Sequence, residues 1–135
     1  MPIPTIRKAL EIRLAAVAPA IQTAFENAAF TPVAGTPFQR VNLLPNTPDN
    51  SIQGVTTYFE RGLFQVKLCY PIGTGPTAAE TQAQLIRAHF KRGTSLLNSG
   101  VTVIITDTPR VSTGMIEGDR FCIPVSVPWQ AQINT

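Results

Sequence analysis

The segment from Asp119 to Trp129 constrains this chain more than any other. Phe121, Ile123, Val125, Val127 and Trp129 alternate strictly with other residues, so a strand here has one apolar face that must be buried. Pro124 and Pro128 occupy the opposite parity. Neither has a backbone N–H, and positions of equal parity aim their backbone groups at the same side of a strand. Both missing donors therefore fall on one edge. The expectation is an edge strand protected against uncontrolled pairing.

The other elements follow from periodicity and turn chemistry. Ile6, Leu10, Leu14 and Val17 form a stripe that predicts an amphipathic helix over about Pro4 to Val17, capped by Thr5 and ended by Pro19. Ile21 to Phe30 is ambiguous between a helical piece and a strand. Strands are expected at Gln39 to Leu44, at Gly62 to Tyr70 and at Val101 to Thr106, with a further start at Thr56 to Tyr58. Thr77 and Glu80 have the spacing of a capping box. They open a second helix that runs to about Phe90 and is stopped by Gly93, with Ala79, Ala83, Ile86 and Phe90 inward. Pro45 to Gly54 and Thr108 to Gly118 read as loops. Strands grouped between two helices give an α+β class: one domain over 1–135, with an antiparallel or mixed sheet and both helices on one face. Phe64, Val66, Ile86, Phe90, Val125 and Trp129 are the expected core.

Charge is scarce. Only 14% of the residues are Asp, Glu, Lys or Arg, against about 25% in ordinary soluble domains, and the net charge is +3. Such a surface suits lasting protein contacts. No apolar run approaches the roughly 20 residues needed to cross a bilayer. Basic residues and Glu11 interrupt any apolar leader near the start, so the expected compartment is the cytoplasm of the producing cell. There Cys69 and Cys122 read as reduced, buried small hydrophobes; a disulfide requires their strands to be neighbours.

The side chains offer little chemistry. Nucleophilic catalysis needs a nucleophile, a base and an orienting group, and the single histidine, His89, sits near the end of the second helix. A Cys69–His89 dyad is far less expected than a structural histidine favoured by the helix dipole. One His and two distant Cys give no metal-ligand spacing. The carboxylates form no pair, and Gly73-Thr-Gly75 lacks the downstream residues of a phosphate loop. No enzyme, cofactor or metal is expected. Arg87, Lys91 and Arg92 cluster on one helix, and Arg7, Lys8 and Arg13 on the other, without interleaved aromatics. This argues against sequence reading of nucleic acid and is compatible with a weakly basic module or lining.

Four strings make a set: Ile6 to Leu14, Thr36 to Pro45, Glu60 to Pro71, and Asp119 to Trp129. Together they resemble a family of small phage and prophage proteins similar to the tail terminators of long-tailed phages. The resemblance spans nearly the whole chain. It implies a two-layer α+β domain that assembles into a ring, six-fold in tail terminators. The ring caps the tail tube, ends its polymerisation and presents the surface to which the head connector docks. The implied partners are further copies of the chain, the tube protein and a head-completion protein, with nucleic acid at most in the ring lumen and no membrane. Assembly in the bacterial host's cytoplasm and residence in the virion tail follow. The rival roles are another head–tail connector or minor tail protein, or a basic nucleic-acid-binding module. Asn46, Asp49 and Asn50 in the loop, with Glu60, Arg61 and Arg110, are the expected subunit or tube contacts. Glu80 and Arg87, seven apart on one helix face, are further candidates for pairs between subunits, with Glu80 also claimed by its capping box.

Overall fold

The computed structural model describes residues 2–17, 21–50, 57–73 and 75–134. The elements in chain order are α1 (Pro2–Ala15), β1 (Gln22–Ala24), β2 (Phe38–Pro45), β3 (Thr57–Pro71), α2 (Thr77–His89), β4 (Ser95–Asn98), β5 (Val101–Ile105), β6 (Arg110–Val111), β7 (Met115–Glu117) and β8 (Arg120–Asn134). The fold is α+β, with one curled sheet in the order β1-β2-β3-β8-β5-β4 and with β6 and β7 also paired to β8. The sheet is mixed: β1 runs parallel to β2 and the other pairs are antiparallel.

The strand expected at an edge is the centre of the sheet. β8 pairs with β3 along its full length, from Arg120 opposite Pro71 to Asn134 opposite Thr57. Its other side is filled by three short strands: β7 against 120–122, β6 against 125–126 and β5 against 129–131. Pro124 and Pro128 lie in the two gaps between those partners. Their carbonyls accept from Ser112 N (2.9 Å) and Thr106 N (3.2 Å), so their side of β8 faces the short strands. The two missing donors do fall on one side of β8. They divide the pairing there into three pieces instead of leaving it open. Thr108 to Gly118, expected as a loop, supplies two of those pieces.

The inner face carries the core. Both helices bury their stripes in one cluster with strand residues of a single parity. Ile6, Leu10, Leu14 and Val17 come from the N-terminal segment; Ala83, Ile86 and Phe90 come from α2 and its end. They cover the rows Val41–Val66–Val125 and Leu43–Phe64–Val127, which run straight across β2, β3 and β8. All six residues expected in the core are buried. Gly62 opposes Trp129 in this layer, and a Cβ there would overlap the Leu44 carbonyl oxygen and press on the indole. The glycine makes room for the largest core side chain.

Local signals were less faithful at the helix ends. α2 starts at Thr77 with Pro76 at the N-cap position and no side-chain cap hydrogen bond, so the Thr77–Glu80 box does not form. Glu80 N instead donates to the Pro76 carbonyl at 2.9 Å, the ordinary first-turn bond. α1 begins at Pro2, which places Thr5 inside the helix and not at its cap. Pro19, Thr56 and Thr74 lie outside the described residues, as does the 51–54 part of the expected loop. α2 ends at His89 with Phe90 at its C-cap, not at Gly93; Gly93, with φ +88, turns the chain three residues further on and donates to Ile105 O at 2.8 Å.

Candidate functional site

The outer face of the sheet, opposite in parity to the core, divides into two halves. At the 120 end of β8 it is covered. Cys69 and Cys122 stand directly opposite each other with Cα atoms 4.1 Å apart, joined as a disulfide. Odd residues of β8 carry the backbone bonds to β3, so the cysteines occupy a non-hydrogen-bonded pair, the closer of the two antiparallel spacings. This corrects the expectation of two free thiols: neighbouring strands bring the pair into register. Phe38, Ala24 and Phe30 pack on the disulfide. Arg120 is buried and donates to the carbonyls of Thr36 and Val33, the latter at 2.7 Å, with its guanidinium 5.1 Å from the Phe38 ring centre. One buried cation thus holds the 33–36 segment over this half.

Towards the other end the same face is bare. Leu44, Leu63 and Pro128 form a straight row across β2, β3 and β8. Leu44 and Leu63 are 44% and 37% exposed, high values for leucines on a sheet. Ile104 and Leu97 continue the patch onto β5 and β4. An open groove of about 640 Å³ crosses it, lined by Leu44, Asn46, Arg61, Leu63, Asp107 and Gln130 among others.

The six candidate contacts do not all meet here. The chain after β2 stays zipped to β3: Asn46 N donates to Arg61 O at 2.8 Å, and Asp49 and Phe59 exchange both backbone bonds, at 2.8 and 3.0 Å. Three residues advance on one strand while two advance on the other, as in a bulge. Arg61 Nε donates to Thr47 O at 3.0 Å. Asn46, Asp49 and Arg61 are therefore held together beside the groove, and exposed Asn50 follows them. Arg110 lies on β6 opposite Ser126, exposed and two residues along β8 from Pro128. Glu60 differs: it shares the parity of Phe64 and its side chain is buried, on the opposite side of β3 from Arg61. Within the chain Arg87 Nε donates to Pro109 O at 3.0 Å, and Glu80 is exposed in the first turn of α2. Leu44 and Leu63 were missed. The available signal was Leu63 flanked by Arg61 and Gln65 in the outward parity of β3.

No reactive pair is assembled from the residues considered for chemistry. Cys69 is bonded to Cys122 on the outer face, whereas α2 with His89 lies on the inner one. His89 has its pKa lowered, first by desolvation and then by the Arg13 charge, which is the reverse of a dipole-stabilised imidazolium. The dipole end is served by Arg13 instead, whose Nε and Nη2 donate to the His89 carbonyl at 3.1 and 2.9 Å. Glu26 Oε1 accepts from Leu43 N (3.0 Å) and Arg7 Nη1 (2.8 Å), and the backbone bond leads in holding its pKa low. Among the described residues one set of potential metal ligands converges: Cys69, Glu117 and Cys122. Its sulfurs are joined to each other, and Glu117 pairs with Lys67 at 2.9 Å. No helix among the described residues is long and apolar enough to cross a membrane.

What the geometry offers is contact surface, and comparison with known proteins says of what kind. The family model described as phage tail terminator protein matches residues 5–129. The chain belongs to the phage tail terminator family. That family is structural, and membership makes this chain a component of a phage tail. A solved structure without a functional name is similar over 100% of this chain and 99% of its own, at 26% identity and a TM-score of 0.78. No curated protein matches.

Proposed function

We propose that the chain is the subunit of a ring, six-fold as the terminator resemblance implies, that caps the growing tail tube. The ring stops polymerisation and presents the surface to which the head-completion protein docks. The observation that carries this reading is the family match across almost the whole chain, borne by a domain whose bare surface is apolar and cross-strand. Subunits add to the tube end through sheet surface and loops. Asn46, Asp49, Asn50, Arg61 and Arg110 are the polar contacts to a neighbour or to the tube, and Glu60 joins them only after a rearrangement that exposes it. A head-to-tail contact that closes into a ring leaves no free end, so lateral growth stops there. Nucleic acid enters only as cargo through the lumen. Assembly proceeds in the host cytoplasm.

The test is electron microscopy of the cognate tube protein polymerised with and without this chain. Tubes of uniform length, each capped at one end by a ring, are expected. Tubes of unregulated length without end density would remove the terminator role and turn attention to a connector or to a nucleic-acid partner.

A further inference from the structure

The sealed half of the outer face gathers two sulfurs, a carboxylate and an ammonium. The row Phe38–Cys69–Cys122–Met115 crosses four strands. On its β2 side Phe38, Ala24 and Phe30 pack on the sulfurs, and both cysteines are buried. On its β7 side the surroundings are polar and open to solvent. The Glu117 carboxylate reaches within 4.8 Å of both sulfurs and pairs with Lys67 Nζ at 2.9 Å. These two side chains are 44% and 31% exposed, and all three residues of β7 are exposed. The backbone, not the bond, sets the cysteines in register: β3 and β8 stay paired to Pro71–Arg120 on one side of them and to Thr57–Asn134 on the other. The main core lies on the opposite face and includes neither cysteine. Two thiols at these positions therefore stand opposite each other in the same fold.

We propose that Cys69–Cys122 is a reversible thiol–disulfide switch of the folded chain, open in a reducing cytoplasm and closed outside the cell, with Lys67 and Glu117 governing its closure. The timing rests on the reading of a tail part assembled in the host cytoplasm; the couple itself does not. Cytoplasmic thiols are kept reduced, whereas a released particle meets an oxidising medium. The oxidant is a small-molecule disulfide. The thiolate of one cysteine attacks it, forming a mixed disulfide and expelling one small thiolate. The thiolate of the second cysteine attacks the protein sulfur of that mixed disulfide, closing the Cys69–Cys122 bond and expelling the other small thiolate. Two protein thiols are oxidised, the small disulfide is reduced to two thiols, and the protein's two thiol protons end on them. Lys67 supplies the countercharge that favours an attacking thiolate, and the Glu117 carboxylate opposes it. Closure ties β3 to β8 beneath Phe30 and Phe38 and so fixes the sealed half once the particle has left the cell.

The test equilibrates the purified full-length chain with 2-mercaptoethanol and its disulfide over a range of ratios, in EDTA, both native and in urea. Both reagents are uncharged, so Lys67 and Glu117 act on the protein thiolate alone. Free thiols are trapped with iodoacetamide and counted by mass. The native chain should pass between a two-thiol and a disulfide form, and the reduced form should keep the native near-UV spectrum and a cooperative unfolding transition. The fold returns to the bond whatever stability the bond lends the fold. The native midpoint should therefore lie roughly 30- to 900-fold further towards the disulfide than the midpoint in urea, the usual contribution of a cross-link written as an equilibrium ratio. Lys67→Met should slow closure and Glu117→Gln should quicken it. A pair that merely covers the sulfurs would quicken closure in both variants, and that result would overturn the role of the charges. Reduction that occurs only through global unfolding, or a reduced chain without the native spectrum, would overturn the switch and leave a structural staple. Trapping in producing cells and in released particles checks the timing: thiols inside and the bond outside are expected, and a bond already complete inside would overturn it. Absence of the chain from released particles would remove the tail reading and leave the couple as the titration finds it.

Discussion

The two halves of the outer face are built from the same three strands and the same parity, yet one is sealed and the other is bare. In the sealed half, the row Phe38–Cys69–Cys122 is crossed by a disulfide and covered by a segment that a buried arginine holds down. In the bare half, the row Leu44–Leu63–Pro128 has the same geometry and no cover within the described residues. The chain has the means to cover an apolar row and uses them once. A half-covered face fits a subunit whose remaining surface is completed by a neighbour, since exposed apolar patches mark interaction sites more often than accidents.

The largest effect is expected beneath the bare half. Trp129 is 1% exposed, and Trp129→Ala should cost about 3–5 kcal/mol through lost burial and a cavity next to Gly62. Urea denaturation measures it; an unchanged midpoint would mean that the indole serves a subunit seam and not the core. The disulfide comes next. It spans 53 residues of sequence, and cross-links of this kind contribute about 2–4 kcal/mol. Denaturation with and without reductant should show that loss, and two titratable thiols in unreduced, unfolded protein would deny the bond. Arg120→Met should cost about 1.5–3 kcal/mol, because it removes the hydrogen bonds of a buried, charged donor to the Thr36 and Val33 carbonyls. Proteolysis within 33–36 should accelerate in that variant, and equal resistance would show that the segment is held by packing alone.

How much of this was readable in advance depended on the range of the interaction. The inner face was legible because burial writes period two and period 3.6 directly into the sequence, as in Phe64–Val66–Leu68 and Ile6–Leu10–Leu14. The place of β8 was not. The prolines reveal which of its sides lacks donors, but an interrupted interior edge and an exposed one impose the same local requirement. The difference lies in the short strands β5, β6 and β7, two of them only two or three residues long, too brief for any periodic signal. The Cys69–Cys122 bond depended on the β3–β8 register, which no local pattern specifies. The Thr77–Glu80 box failed because Pro76 supplied the helix start with a residue already in the helical region, at φ −86 and ψ −14. Of the expected contact residues, Asn46, Asp49 and Arg61 lie side by side, but strand parity separates Glu60 from Arg61, and the apolar row beside them was overlooked.

The smallest stability effect is the most discriminating test of the comparison. Leu63→Gln removes an apolar side chain that is 37% exposed and makes no part of the buried cluster. If the bare half owes nothing to the monomer's own stability, the unfolding midpoint should shift by no more than about 0.5 kcal/mol, the usual range for surface changes. A loss of 2 kcal/mol or more, on the order of a core truncation, would place Leu63 under a cover supplied by the same chain. The two halves of the face would then be alike, both closed within one subunit, and the distinction between them would disappear. A near-zero shift together with failed assembly separates them: one half of this face stabilises the fold, and the other is reserved for a partner.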